Sequence, residues 1–139
     1  MTDGPRPGPD RRWSHLDLRA VAFGTAVAMA VALPVALLAE VVVDEGDSAF
    51  ALPLFALVVG GFGWGGFVAG RRAPDAPLSN GAVAALAAYV IIQGVGAVRR
   101  VVVDESVSLP AIVFAALLAS STGLIGALLA GRTAPGPSR

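Results

Sequence analysis

Four apolar runs, each about 20–24 residues long, occupy most of this chain and leave few folds open to it. They extend from about Ala20 to Val43, from Ala49 to Gly70, from Gly81 to about Val103 and from Leu109 to Gly131. At about 1.5 Å of rise per residue, roughly 20 helical residues cross a hydrocarbon layer of ~30 Å. Strands of such length are excluded, because the edges of an open sheet stay unpaired in lipid. Of the 139 residues 55% are hydrophobic and 14% charged, more apolar surface than a soluble fold of this size can hide. The expectation is an all-α polytopic membrane protein, a four-helix bundle whose first partner is the lipid bilayer.

Residues 1–19 are rich in Pro, Gly, Asp and Arg and read as a flexible tail, with Trp13 at its membrane end. The first run is longer than a signal-peptide core and no small-x-small site follows it, so it is expected to be retained. Arginine placement sets the orientation. Arg6, Arg11, Arg12 and Arg19 precede the first run, Arg71 and Arg72 follow the second, and Arg132 and Arg139 follow the fourth. The loop after the first run has no arginine and carries Asp44, Glu45 and Asp47. Positive charge marks cytoplasmic helix ends, so both termini and the central loop are expected inside, in a cell (plasma) membrane. Arg99 and Arg100, near the opposite end of the third run, cut against this pattern.

The ten acidic and ten basic residues cancel, leaving no net field to attract nucleic acid. The chain has no cysteine, which excludes disulfides, thiolate metal sites and cysteine nucleophiles. Its single histidine, His15, excludes a histidine metal cluster within one chain. No nucleophile–base constellation is present, so neither catalysis nor a cofactor is expected.

A duplication organises the chain. Val41-Val42-Val43-Asp44-Glu45 recurs as Val101-Val102-Val103-Asp104-Glu105, and Ala69-Gly70-Arg71-Arg72-Ala73-Pro74 recurs as Ala130-Gly131-Arg132-Thr133-Ala134-Pro135. The unit is a helix, an acidic loop, a helix and an arginine. It divides the chain into a first transmembrane hairpin over 20–74, a second over 75–135 and a short cytoplasmic tail over 136–139. Two crossings per unit give both copies one orientation, which predicts parallel repeats about a pseudo-twofold axis along the membrane normal. At that offset Glu40 corresponds to Arg100, and ionisable groups in a membrane segment usually pair. A Glu40–Arg100 or Glu40–Arg99 contact is therefore expected; the alternative is that all three snorkel to the headgroups.

Glycines mark the packing faces. Gly61 with Gly65 and Gly66 with Gly70 form GxxxG pairs in the second run, and Gly123, Ala127 and Gly131 repeat the four-residue step in the fourth. Small residues let helix backbones approach, so these two helices are expected at the centre of the bundle or on a dimer face. The segment does not read as a phosphate loop, since no strand precedes it and no Gly-Lys-Ser/Thr follows. Pro34, mid-way along the first run, is expected to kink it or free a carbonyl. Gln93, Ser120, Ser121 and Thr122 are the clear polar groups near the midplane, placed at matching depths. They read as an interhelical hydrogen bond or as a small polar site for a substrate or ion. No midplane carboxylate is present to carry protons.

Gly65-Gly66-Phe67-Val68-Ala69-Gly70-Arg71-Arg72-Ala73, followed by Asn80-Gly81-Ala82, resembles the GGFxAGRxA-like stretch of a family of small bacterial four-helix integral membrane proteins. That family has no established activity, so the resemblance implies topology and nothing catalytic. Small multidrug-resistance transporters have a similar length, but their essential carboxylate lies mid-membrane in the first helix, whereas Glu40 lies at its end. The expected function is a structural or accessory membrane protein with a homo-oligomer or membrane-protein partner; the alternative is a small transporter or channel subunit.

Overall fold

A computed structural model describes residues 16–42, 49–103 and 108–133, without the side chains of Glu40 and of residues 98–103. The described residues fold into four helices: α1 (Leu18–Val42), α2 (Ala51–Arg72), α3 (Pro77–Val103) and α4 (Leu109–Thr133). Each contains a stretch of 21–25 residues long and apolar enough to span a bilayer. The boundaries follow local chemistry rather than the ends of the apolar runs. Helix α1 begins two residues before Ala20 because Asp17 caps it, its carboxylate accepting the amides of Arg19 (2.9 Å) and Ala20 (3.2 Å). Helix α3 begins four residues before Gly81, with Pro77 in its first position, where the missing N–H costs nothing. Pro34 lies inside α1, which remains one continuous helix.

The interior is made of the smallest side chains. The buried apolar residues are mostly alanines, among them Ala28, Ala32, Ala69, Ala84, Ala85, Ala88 and Ala127, while Phe62, Tyr89 and Val21 are the few larger ones. Leucines, valines and phenylalanines such as Leu52, Phe114 and Leu117 point outward instead. A water-soluble bundle would place them the other way round. In lipid, burying a leucine gains little, and association rests on close packing of small residues.

Glycines at the crossings let the backbones touch. A methyl group on Gly24 would stand 2.6 Å from the Gly65 carbonyl oxygen, and one on Gly65 2.6 Å from the Ala28 Cβ, which seats α1 on α2. A methyl on Gly66 would overlap the backbone of Gly123, and one on Gly126 the carbonyl of Gly63, which locks α2 to α4. Gly81 sits at the junction of three helices, within 3.0 Å of the Gly66 carbonyl and 2.9 Å of that of Gly123 by the same measure. Helices α1, α2, α4 and α3 follow one another around the bundle, and α2 touches α3 across its short diagonal.

The buried faces repeat along the chain. Ala20, Val21, Gly24, Thr25 and Ala28 of α1 are buried, and so are their counterparts sixty residues on, Asn80, Gly81, Ala84, Ala85 and Ala88 of α3. Phe62, Gly65, Gly66 and Ala69 of α2 are buried, as are Gly123, Gly126, Ala127 and Ala130 of α4, sixty-one residues on. Helix neighbours do not follow the same equivalence. A twofold axis relating the hairpins would bring α1 to α4 as it brings α3 to α2, yet α1 and α4 do not touch among the described residues. The hairpins lie side by side, with α1 against α3 and α2 against α4.

Crossings this close predict a sharp contrast between glycines. Gly66→Ala, Gly123→Ala and Gly126→Ala should each destabilise the protein by about 1–3 kcal/mol through overpacking. Gly60→Ala and Gly131→Ala open onto empty space and should change stability by less than about 0.5 kcal/mol. Unfolding by titration of SDS into a mild detergent measures both groups, and equal effects would refute the crossings.

Candidate functional site

The glycine crossings of α2 with α4 lie in the half of the bundle near the Arg71–Arg72 end of α2. Towards the other end Phe55, Val58 and Phe62 hold the two helices apart, and Tyr89 and Gln93 of α3 close the back of the gap. A pocket of about 200 Å³ results, with Ala115, Leu118 and Ala119 of α4 as its far wall. Phe62 meets Tyr89 edge to face, with ring centroids 6.4 Å apart.

Tyr89 is the polar anchor of this pocket. Its ring is buried, and its hydroxyl donates to the Ile112 carbonyl oxygen across the α3–α4 interface at 2.8 Å. The Gln93 side-chain N–H, one helical turn further along α3, donates to the Tyr89 oxygen at 2.7 Å. The chain of bonds runs Gln93, Tyr89, Ile112 and ties two helices together where no glycine contact does.

The polar residues singled out by sequence are not brought to one place. Ser120 donates to the Ala116 carbonyl, Ser121 to that of Leu117, and Thr122 to those of Leu118 and Ala119, all within α4. The depths of Gln93 and Thr122 do not match either. Gly123, next to Thr122, packs on Ala85, and Ala85 is eight residues, or about 12 Å of helix, from Gln93. Gln93 and the α4 hydroxyls therefore stand at different levels, and its interhelical link runs through Tyr89 and not through the hydroxyls. Of the packing residues, Gly61, Gly65, Gly66, Gly70, Gly123 and Ala127 stand at helix crossings within the chain, while Gly131 faces open space. Glu40, Arg99 and Arg100 lie on helical backbone near the ends of α1 and α3, and the expected ion pair between them falls outside the described side chains.

A second polar knot closes the opposite end. Asn80 is fully buried; its carbonyl oxygen accepts the Asp17 amide at 2.8 Å, and its amide donates to the Ala76 carbonyl at 2.8 Å. Thr25 Oγ1 donates to the Ala84 carbonyl at 3.1 Å, a second tie between α1 and α3. At the same end the Arg72 guanidinium lies 3.5 Å from the centroid of the Phe23 ring, a cation–π contact between α2 and α1.

Sequence reasoning missed Tyr89, Asn80, Thr25 and Asp17. Signals for two of them were present. Asp17 stands just before the first apolar run, in the position of a helix cap. Tyr89 is the chain's one tyrosine and lies one turn from Gln93. Nothing local marks Thr25 or Asn80 as buried.

Both knots are open to mutation. Asn80→Leu leaves the Asp17 amide without its side-chain acceptor and removes the bond of buried Asn80 to the Ala76 carbonyl. It should cost about 1–3 kcal/mol, and Tyr89→Phe about 0.5–2 kcal/mol. Ser121→Ala should cost less than either, as its hydroxyl bonds only its own helix. Thermal unfolding in mild detergent ranks the three, and a Ser121→Ala loss equal to that of Asn80→Leu would contradict these assignments. Comparison with known protein families, with characterised proteins and with solved structures finds no match to this chain.

Proposed function

We propose that the protein is a non-enzymatic structural or accessory membrane protein that acts by contact with another membrane protein or with copies of itself. The observation that carries this reading is the closed packing of the α2–α4 seam. A methyl group on Gly66 would overlap the backbone of Gly123 there, and one on Gly126 the backbone of Gly63 and Phe67, which favours a compact scaffold over a conduit. The hydroxyls of Ser120, Ser121 and Thr122 are committed to their own helix rather than to a shared polar site. Apart from Gly131, the packing glycines are likewise engaged within the chain, so a partner would meet the outward side chains, among them Trp64 and Phe114.

The alternative, a small transporter or channel subunit, draws its support from the Tyr89–Gln93 pocket. The two readings separate in one assay. Protein reconstituted into liposomes should give no ion or small-solute flux above protein-free vesicles, and gentle extraction should recover it as an oligomer or with a membrane-protein partner. Flux that Gln93→Leu abolishes would establish the transporter instead.

The duplicated hairpin belongs to the same reading. The recurrence of Val-Val-Val-Asp-Glu and Ala-Gly-Arg at nearly one spacing, together with buried faces at that spacing, supports descent from one arginine-anchored hairpin used twice. The arginines after α2 and α4 support a plasma-membrane location with both termini and the α2–α3 turn in the cytoplasm. Because the chain has no natural cysteine, a single cysteine at Asp75 reports this directly. It should resist an impermeant maleimide in intact cells and react after permeabilisation, and labelling before permeabilisation would invert the topology.

A further inference from the structure

The pocket between α2, α3 and α4 holds a polar group with unused capacity. Gln93 commits one N–H to the Tyr89 oxygen, and among the described residues its second N–H and its carbonyl oxygen make no further hydrogen bond. An amide facing an apolar cavity in hydrocarbon is costly unless something completes its bonds. Apart from Tyr89, whose hydroxyl is already bonded to Ile112 and Gln93, the rest of the lining is apolar, and Phe55 on the rim is exposed at the bundle surface. A chain can therefore enter sideways.

We propose that this pocket holds one acyl chain of a phospholipid, with the free Gln93 N–H donating to that chain's ester carbonyl. Size and depth both fit. The volume of about 200 Å³ exceeds the ~150 Å³ of an apolar cavity known to accept benzene, enough for the chain segment next to the ester. In the sequence of α3 the apolar run is broken by Arg99 and Arg100, which puts Gln93 six residues, or about 9 Å, below the first of these charges. Hydrocarbon gives way there to the ester and headgroup layer. A plain hydrocarbon would leave the amide unanswered, whereas an ester carbonyl is the acceptor it lacks.

The stripe above Gln93 continues the match. Tyr89, Gln93, Gly96 and Arg100 follow one another at four, three and four residues, the spacing of a single helix face. Among the described residues, a methyl on Gly96 would meet only the Gln93 side-chain oxygen, at 3.9 Å. The sequence then places a basic residue, Arg100, about 10 Å beyond Gln93, where a phosphate carries the complementary charge. An N–H donor for the ester carbonyl and then a positive charge, in this order along one face, favour a phospholipid over a neutral lipid.

Native mass spectrometry of the full chain in mild detergent tests this, with added phosphatidylglycerol or with diacylglycerol bearing the same chains. The wild type should retain one phosphatidylglycerol per chain and bind diacylglycerol at least tenfold more weakly. Gln93→Leu should weaken phosphatidylglycerol binding about tenfold. Ala115→Trp and Leu118→Trp, which fill the pocket from α4, should each abolish it, with helicity by circular dichroism confirming the fold. Retention unchanged in the two filled variants would reduce the lipid to a bystander at the surface, and unchanged retention in Gln93→Leu would remove the ester contact. Equal binding of diacylglycerol would remove the phosphate. Any of these three results overturns the proposal, and none depends on whether a protein partner exists.

Discussion

Direct backbone contact between α2 and α4, at Gly63 and Gly66 on one side and Gly123 and Gly126 on the other, is the constraint around which this bundle is arranged. In hydrocarbon no solvent pushes apolar side chains together, so helices associate through the many small dispersion contacts that close approach allows. Glycine and alanine maximise those contacts, and the interior is accordingly made of them. The large aliphatic and aromatic residues are displaced to the outer surface, where they match lipid. Helix α2 serves as the common partner, meeting α1 through Gly65, α4 through Gly66 and α3 near Gly81.

A seam so tight at one level cannot stay tight along two straight helices whose side chains change in size. Beyond Phe62 the residues of α2 become bulky, the helices separate, and the pocket follows as the geometric complement of the glycine crossing. Tyr89 and Gln93 stand where packing alone no longer joins α3 to α4, and a hydrogen-bond chain replaces it. Beside the pocket, polar bonding thus takes over from close glycine packing in joining α3 to α4.

Helix α3 carries polar ties in its first turns and at its middle. Asn80 and the Ala84 carbonyl bind it to α1, and Tyr89 binds it to α4. Since α1 and α4 do not touch among the described residues, α3 joins them from one side and α2 from the other. Each tie satisfies groups that would otherwise be stranded in a medium without water, and no buried side-chain polar atom among the described residues lacks a partner. The duplicated sequence meets its limit here. The two hairpins share a buried register, but the small faces of α2 and α3 meet across the bundle while those of α1 and α4 do not.

Length and apolarity are local properties, and they determine that Leu18–Val42, Ala51–Arg72, Pro77–Val103 and Leu109–Thr133 are helices able to span a bilayer. The periodicity of small residues is local too, and it marks the contact face of α2 at Gly61, Gly65, Gly66 and Gly70 before any partner is known. Which surface meets that face depends on crossing angles and on the axial slide of one helix against another, and neither is written in a single helix. For that reason depth counted from the ends of apolar runs places Gln93 beside Thr122, whereas the register set at Gly123 and Ala85 holds them about 12 Å apart. The same register, decided only in three dimensions, gives the Tyr89 hydroxyl the carbonyl of Ile112, buries Asn80 against the start of α1 and opens the pocket beside Gln93.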